Sequence, residues 1–117
     1  MSLLARVVEE QCGDDVSIAA IAGEVDASNV HEVGESLRAL LTNRSTALVV
    51  DLTDTTYFDS AGINLLFELS TELTDRQQKL RLVVPPSTPI LRMLTITGLI
   101  GTVLTHETRA AALAQLD

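Results

Sequence analysis

The chain has no tryptophan, one tyrosine and two phenylalanines, so aromatics make up only 3% of it. Large stacking platforms for nucleobases are therefore missing. Any core must be aliphatic, and the 46% apolar content, mostly Leu, Val, Ile and Ala, can supply one. Basic residues are also scarce: eight Lys and Arg stand against sixteen Asp and Glu, for a formal charge of −8. Phosphate backbones would be repelled, which argues against nucleic-acid binding. The basic residues do not cluster as an anionic membrane surface would require. Cys12 is the only cysteine, so no internal disulfide can form, and a reducing cytoplasm fits. No apolar run approaches the ~18 residues of a membrane span. The stretch MSLLARVVEEQ lacks the apolar core of a secretory leader. At 117 residues the chain suits one domain over 1–117.

Strand-like and helix-like segments alternate from end to end, with no linker or repeat between them. Leu3 to Glu10 is a strand candidate, followed by a turn cluster at Cys12-Gly13-Asp14-Asp15. Val16 to Ile21 alternates as a second strand, and so short a connection predicts an antiparallel hairpin. Gly23 and Glu24 end that strand. Val30, Val33, Leu37, Leu40 and Leu41 recur at helical spacing, with Ser28 as N-cap. Ala47 to Leu52 is nearly all apolar, as a central strand covered on both faces should be. A second helix runs from about Ser60 to Arg76. Leu80 to Val84 is a strand stopped by Pro85 and Pro86. Ile90 to Ile96 is a third helix, with Pro89 in its first turn and Gly98 as its stop. Thr102 to Thr105 is a short last strand and Glu107 to Leu116 a final helix. Strands joined through helices imply parallel neighbours and right-handed crossovers. The fold class is thus α/β: a mostly parallel sheet of about five strands, one of them antiparallel, with about four flanking helices.

In open sheets of this kind, sites lie at the carboxyl ends of the strands. Two loops leave that edge: Gly23-Glu24-Val25-Asp26-Ala27-Ser28 and Thr53 to Ser60. Together they gather Glu24, Asp26, Asp54 and Asp59 around one serine at a helix start. Ser60 can be read simply as a capping residue. A cap, however, does not call for Ala61 and Gly62 behind it, and glycine in a helix costs about 1 kcal/mol against alanine. Two small residues leave the hydroxyl unshielded and let another surface approach.

Asp59-Ser60-Ala61-Gly62, after the strand Leu48-Val49-Val50-Asp51-Leu52, resembles the corresponding region of STAS domains, specifically bacterial anti-sigma factor antagonists. Gly23-Glu24-Val25-Asp26 is similar to the Gly-Glu-apolar-Asp element of that family, and Thr97-Gly98-Leu99 to the Thr-Gly-Leu after its third helix. The resemblance implies a STAS fold over the whole chain. It implies a non-enzymatic switch: the unphosphorylated protein binds an anti-sigma factor, itself a serine kinase, and frees a sigma factor. Phosphorylation on Ser60 dissociates the complex, and a phosphatase reverses it. By the same resemblance Asp26 shapes partner contact, Asp59 flanks the acceptor and Gly62 permits close docking, with Glu24 and Ala61 beside them. No cofactor or metal is implied, and a monomer suffices.

Three other readings compete. One is a STAS scaffold in a signalling complex without phosphorylation, for which Leu65, Phe67 and the apolar third helix offer contacts, although core packing explains them as well. Another is a receiver domain with Asp51 as acceptor, but the acidic pair Asp14-Asp15 falls in a hairpin turn and Lys79 precedes its strand. The third is a serine hydrolase, yet Ser60 lacks a Gly-x-Ser-x-Gly elbow, and His31 and His106 read as solvated or capping residues. Asp51 and Asp54 could suggest magnesium, but more simply cap turns.

Overall fold

The computed structural model describes residues 5–12 and 15–116. The described residues form six strands and four α-helices: β1 (Ala5–Cys12), β2 (Val16–Val25), α1 (Val30–Ala39), β3 (Ala47–Asp51), β4 (Thr55–Phe58), α2 (Ser60–Asp75), β5 (Lys79–Val83), α3 (Ile90–Ile96), β6 (Leu104–His106) and α4 (Arg109–Ala114). A single 3-10 turn, Leu99–Gly101, separates α3 from β6. Leu3, Leu4, Gly13 and Asp14, parts of the expected first strand and turn, lie outside the described residues.

The sheet runs β1-β2-β3-β5-β6, with β4 paired to the far end of β2. Among the described residues only β1 is antiparallel; its register sets Ala5 against Gly23 and Cys12 against Val16. The other pairings are parallel. The α/β class and the antiparallel hairpin therefore match expectation, and the sheet has one strand more. β2 does not stop at Gly23 but continues to Val25, beside Thr55–Phe58. The irregularity falls between Gly23 and Glu24. Gly23 has φ 101°, a backbone conformation that costs a glycine little, so it bends the strand instead of ending it.

β3 is buried along its whole length because helices cover both faces of the sheet. On one face Leu48, Val50, Leu66, Leu69, Leu73, Leu82 and Leu94 form the main core, under α1, α2 and α3. On the other, Ile18, Val49, Val83 and Ala112 form a smaller core under α4. Each such side chain contributes roughly 1.5–3 kcal/mol by leaving water. Leu65, considered above as a contact residue, is core: it is buried, and it lies 3.0 Å from where a Cβ on Gly34 would sit. Phe67 is partly buried against the same cluster.

Candidate functional site

The carboxyl ends of β2 and β4 bring the β2–α1 loop and the start of α2 together. Their parallel pairing sets Val25 beside Phe58, and the Asp59 N–H donates to the Val25 carbonyl at 3.2 Å. Asp59 is the N-cap of α2, in extended conformation. Its Oδ1 accepts the N–H groups of Ala61 (2.8 Å) and Gly62 (3.2 Å), and its Oδ2 accepts the Ala27 N–H at 3.1 Å. One carboxylate thus caps a 16-residue helix and clasps the neighbouring loop to it.

Ser60 is the first residue of α2 and is exposed. Among the described residues nothing hydrogen-bonds its hydroxyl. The capping role open to it in sequence terms belongs to Asp59, which leaves the Ser60 oxygen free. Ala61 is half-buried and lines a shallow cleft of about 310 Å³ between α1 and α2, together with Val30, His31, Asn64 and Glu68.

Gly62 is buried, and here the expectation changes. A Cβ at that position would lie 3.1 Å from the Phe58 ring and 3.2 Å from Val25 Cγ1. The space that glycine provides faces inward, where α2 crosses the end of the sheet, and not outward toward a partner. In Asp-Ser-Ala-Gly the aspartate caps the helix and the glycine seats it on Phe58, while the serine between them is left unbonded among the described residues.

Asp26 opens the facing turn. Its carboxylate accepts the Ser28 N–H at 2.9 Å and the Ser28 hydroxyl, and its carbonyl accepts the Val30 N–H at 2.9 Å. The Ser28 hydroxyl, and after it the Ser28 and Asn29 backbone, hold the Asp26 carboxyl below its ordinary value. Ser28 is therefore not the helix cap; α1 begins at Val30, after Asn29. Asn29 was not foreseen as a site residue. It is buried, donates from Nδ2 to the Glu24 carbonyl at 2.8 Å and accepts the Asp26 N–H on Oδ1 at 2.9 Å. The spacing Asp26-x-x-Asn29 was its only sequence signal, a turn with a carboxylate at one end and an amide at the other. Glu24 is exposed on β2 next to buried Val25. Alternation along a strand turns its side chain to the sheet face opposite buried Val25, and among the described residues no hydrogen bond joins that side chain to Asp26, Asp59 or Ser60.

The remaining chemistry lies elsewhere. Asp51 is buried and meets Arg109 Nε at 2.6 Å. Burial favours protonation of its carboxyl, but the Thr53 hydroxyl, the Arg109 guanidinium and the Thr53 N–H outweigh that and lower its pKa. Asp51 is thus committed to an ion pair across the small core, while Asp54 is exposed. Among the described residues no group of three or more His, Cys, Asp and Glu is placed to hold a metal. His31 pairs with Glu35 on α1 at 3.0 Å. His106 sits on β6, against Val83. Lys79 begins β5 and so lies at the opposite end of that strand from the site.

Comparison with known proteins agrees with this architecture. The STAS domain family model matches residues 8–112. An anti-sigma-B factor antagonist of Listeria monocytogenes is 32% identical over 92 residues, covering 79% of each chain. An anti-sigma factor antagonist from Mycobacterium paratuberculosis superposes with a TM-score of 0.84 at 23% identity, over 96% of this chain and 93% of that one. The unphosphorylated form of the anti-sigma factor antagonist SpoIIAA gives 0.77 at 17% identity, over 95% and 96%. At those identities the two structures speak for the fold. With the family model and the Listeria relative, they lead to one conclusion: the chain belongs to the STAS domain family.

Proposed function

We propose that this protein is an anti-sigma factor antagonist that switches partners through Ser60. Unphosphorylated, it binds an anti-sigma factor serine kinase in the cytoplasm and thereby releases a sigma factor. Phosphorylated on Ser60, it lets the kinase go, and a phosphatase restores it. The observation that carries this reading is the Ser60 hydroxyl: exposed and unbonded, at the start of a helix whose first amides are already held by Asp59. The 32% identical relative is itself an anti-sigma-B factor antagonist.

The physics of the switch follows from Asp59. A phosphoserine adds roughly −1.5 to −2 charges at neutral pH. Helix N-termini usually welcome a phosphate through free N–H groups. Here Asp59 occupies those of Ala61 and Gly62, so the new charge adjoins a carboxylate without taking over its donors. Two unit charges at about 4 Å repel by ~4 kcal/mol at an effective dielectric of 20. Even after screening, ~1.4 kcal/mol suffices for tenfold in affinity. That repulsion lies within one chain and counts against binding because docking strips water from the phosphate and the Asp59 carboxylate together, so the complex can dissociate without the domain refolding. Asp26, Asp59, Ser60 and Ala61 form the docking surface around the acceptor, and Glu24 extends it on the outer face.

Incubation with the host's anti-sigma kinase and ATP should label the wild type on Ser60 and leave Ser60→Ala unlabelled. Equal labelling of both would remove Ser60 from this role. Intact-mass analysis of protein purified from its own host tests the same point in the cell. A scaffold role without phosphorylation is the second reading, supported by the outward face of α3, where Ile96 is 74% exposed. A stable pull-down partner that no kinase treatment displaces would favour it.

A further inference from the structure

We propose that the outer edge of β1 is a docking surface for a second copy of this chain, paired antiparallel about a two-fold axis through Val8. β1 bonds β2 along its full length; among the described residues nothing pairs with its other side. At eight residues it is the long edge of the sheet, since β6, the opposite edge, has three. Such an edge presents a row of unused N–H and C=O groups, and folded proteins usually blunt it with charge or proline. β1 holds no proline, and its charges are arranged so that a second copy complements them.

The register can be deduced. Backbone bonding directions alternate along a strand, so two identical antiparallel strands can only oppose residues of like parity. The axis must then pass through a residue, and four choices keep most of β1 paired; the one centred on Glu10 sets Glu10 against Glu10 and is ruled out by like charge. Centred on Val7, the strands set Arg6 against Val8 and form no charge pair. Centred on Glu9, they set Glu9 against Glu9, and directly opposed like charges are destabilising. Centred on Val8, they set Val8 against Val8 and Arg6 against Glu10 twice, where Arg6 adds a second guanidinium to a carboxylate that Arg109 of its own chain already holds. Only this register converts the charges of the edge into attraction. It also covers Val8, which is 49% exposed on the sheet face opposite Ala5 and Val7, the two β1 residues packed on the main core. A closed two-fold contact of this kind is self-limiting, and it replaces the monomer expected above. Ser60, at the carboxyl end of the sheet, takes no part, so loss of either property leaves the other testable.

Sedimentation velocity on the whole protein, from low-micromolar to near-millimolar concentration, should reveal a reversible dimer. Arg6→Glu, an exposed change that leaves the core alone, should weaken association by about tenfold by opposing like charges twice. Mild oxidation of Val8→Cys in a Cys12→Ser background should give a covalent dimer. Glu9→Cys in that background should not, because residues two places out of register stand roughly 7–8 Å apart, beyond the ~3.5–4.5 Å between Cβ atoms that a disulfide needs. A monomer at every concentration, association indifferent to Arg6→Glu, or equal trapping at positions 8 and 9 would each overturn the proposal.

Discussion

Replacing Asp59 by asparagine should separate the two tasks of its carboxylate. One oxygen accepts Ala61 and Gly62 N–H groups as the α2 cap; the other accepts the Ala27 N–H from the β2–α1 loop. Asparagine keeps one acceptor and exchanges the other for an NH2 donor. With its oxygen toward the helix, the cap survives and two donors face each other at Ala27. The loss is then one hydrogen bond at an exposed amide, about 1 kcal/mol. Alanine removes both tasks. Cap loss costs ~0.5–2 kcal/mol, so Asp59→Ala should cost about 2–3 kcal/mol in all. Urea denaturation measures both, with the slope unchanged if the unfolded state is unaffected. Amide exchange localises them: Ala27 should exchange faster in Asp59→Asn while Gly62 stays protected, and both should exchange faster in Asp59→Ala. Equal losses for the two variants, or an unaltered Ala27 in Asp59→Asn, would refute the clasp.

Other expectations rest on the same contacts. Gly62→Ala gains ~0.8–1 kcal/mol of helix propensity, but the new methyl would press on Phe58 and Val25, both fully buried, and overpacking costs ~1–3 kcal/mol; a net loss of about 1 kcal/mol is expected, and a raised denaturation midpoint would contradict it. Because the Asp51 pKa lies below the ordinary aspartate value of 3.8, its ion pair stabilises the fold fully above that value, and the contribution fades as pH falls through the lowered folded pKa. Arg109→Gln should shift acid unfolding to higher pH, and should cost about 2 kcal/mol at neutral pH, a partly exposed pair counting for less than a buried one; pH titration of tryptophan-free far-ultraviolet dichroism would detect both. Ser60→Asp should weaken kinase binding at least severalfold in calorimetry, less than true phosphorylation, because a carboxylate carries less charge than a phosphate.

Where burial decides structure, the residues announced it. Ala47 to Asp51 could be read as a central strand because no polar alternation interrupts it, and it is buried throughout. The hairpin followed from its short turn. β4 escaped notice because Thr55-Thr56-Tyr57 looks like a polar loop after Asp54. Threonine and tyrosine nonetheless favour strands, and what makes them one is long-range: the Gly23 N–H donates to the Asp54 carbonyl at 3.1 Å, and the Thr55 hydroxyl donates to the Ile21 carbonyl at 2.7 Å. Asn29 was missed for a similar reason. An asparagine before a helix reads as a cap, whereas here its buried amide bonds Glu24 and Asp26 within the preceding turn.

Gly62 shows how a correct motif can carry a mistaken reason. A small residue beside a modifiable serine suggests room for an incoming enzyme. The backbone instead places that room against Phe58, at the end of a strand the sequence did not reveal. What stands exposed at this helix start is Ser60, on an end that Asp59 from outside and Phe58 from beneath hold still. Rigidity is what a charge switch needs. If the turn could yield, a phosphate would swing away from its neighbours and its repulsion would dissipate into local motion. With the turn pinned by Asp59 to both Ala27 and the helix amides, a phosphate on Ser60 would, under the proposed switch, act on the docked protein instead.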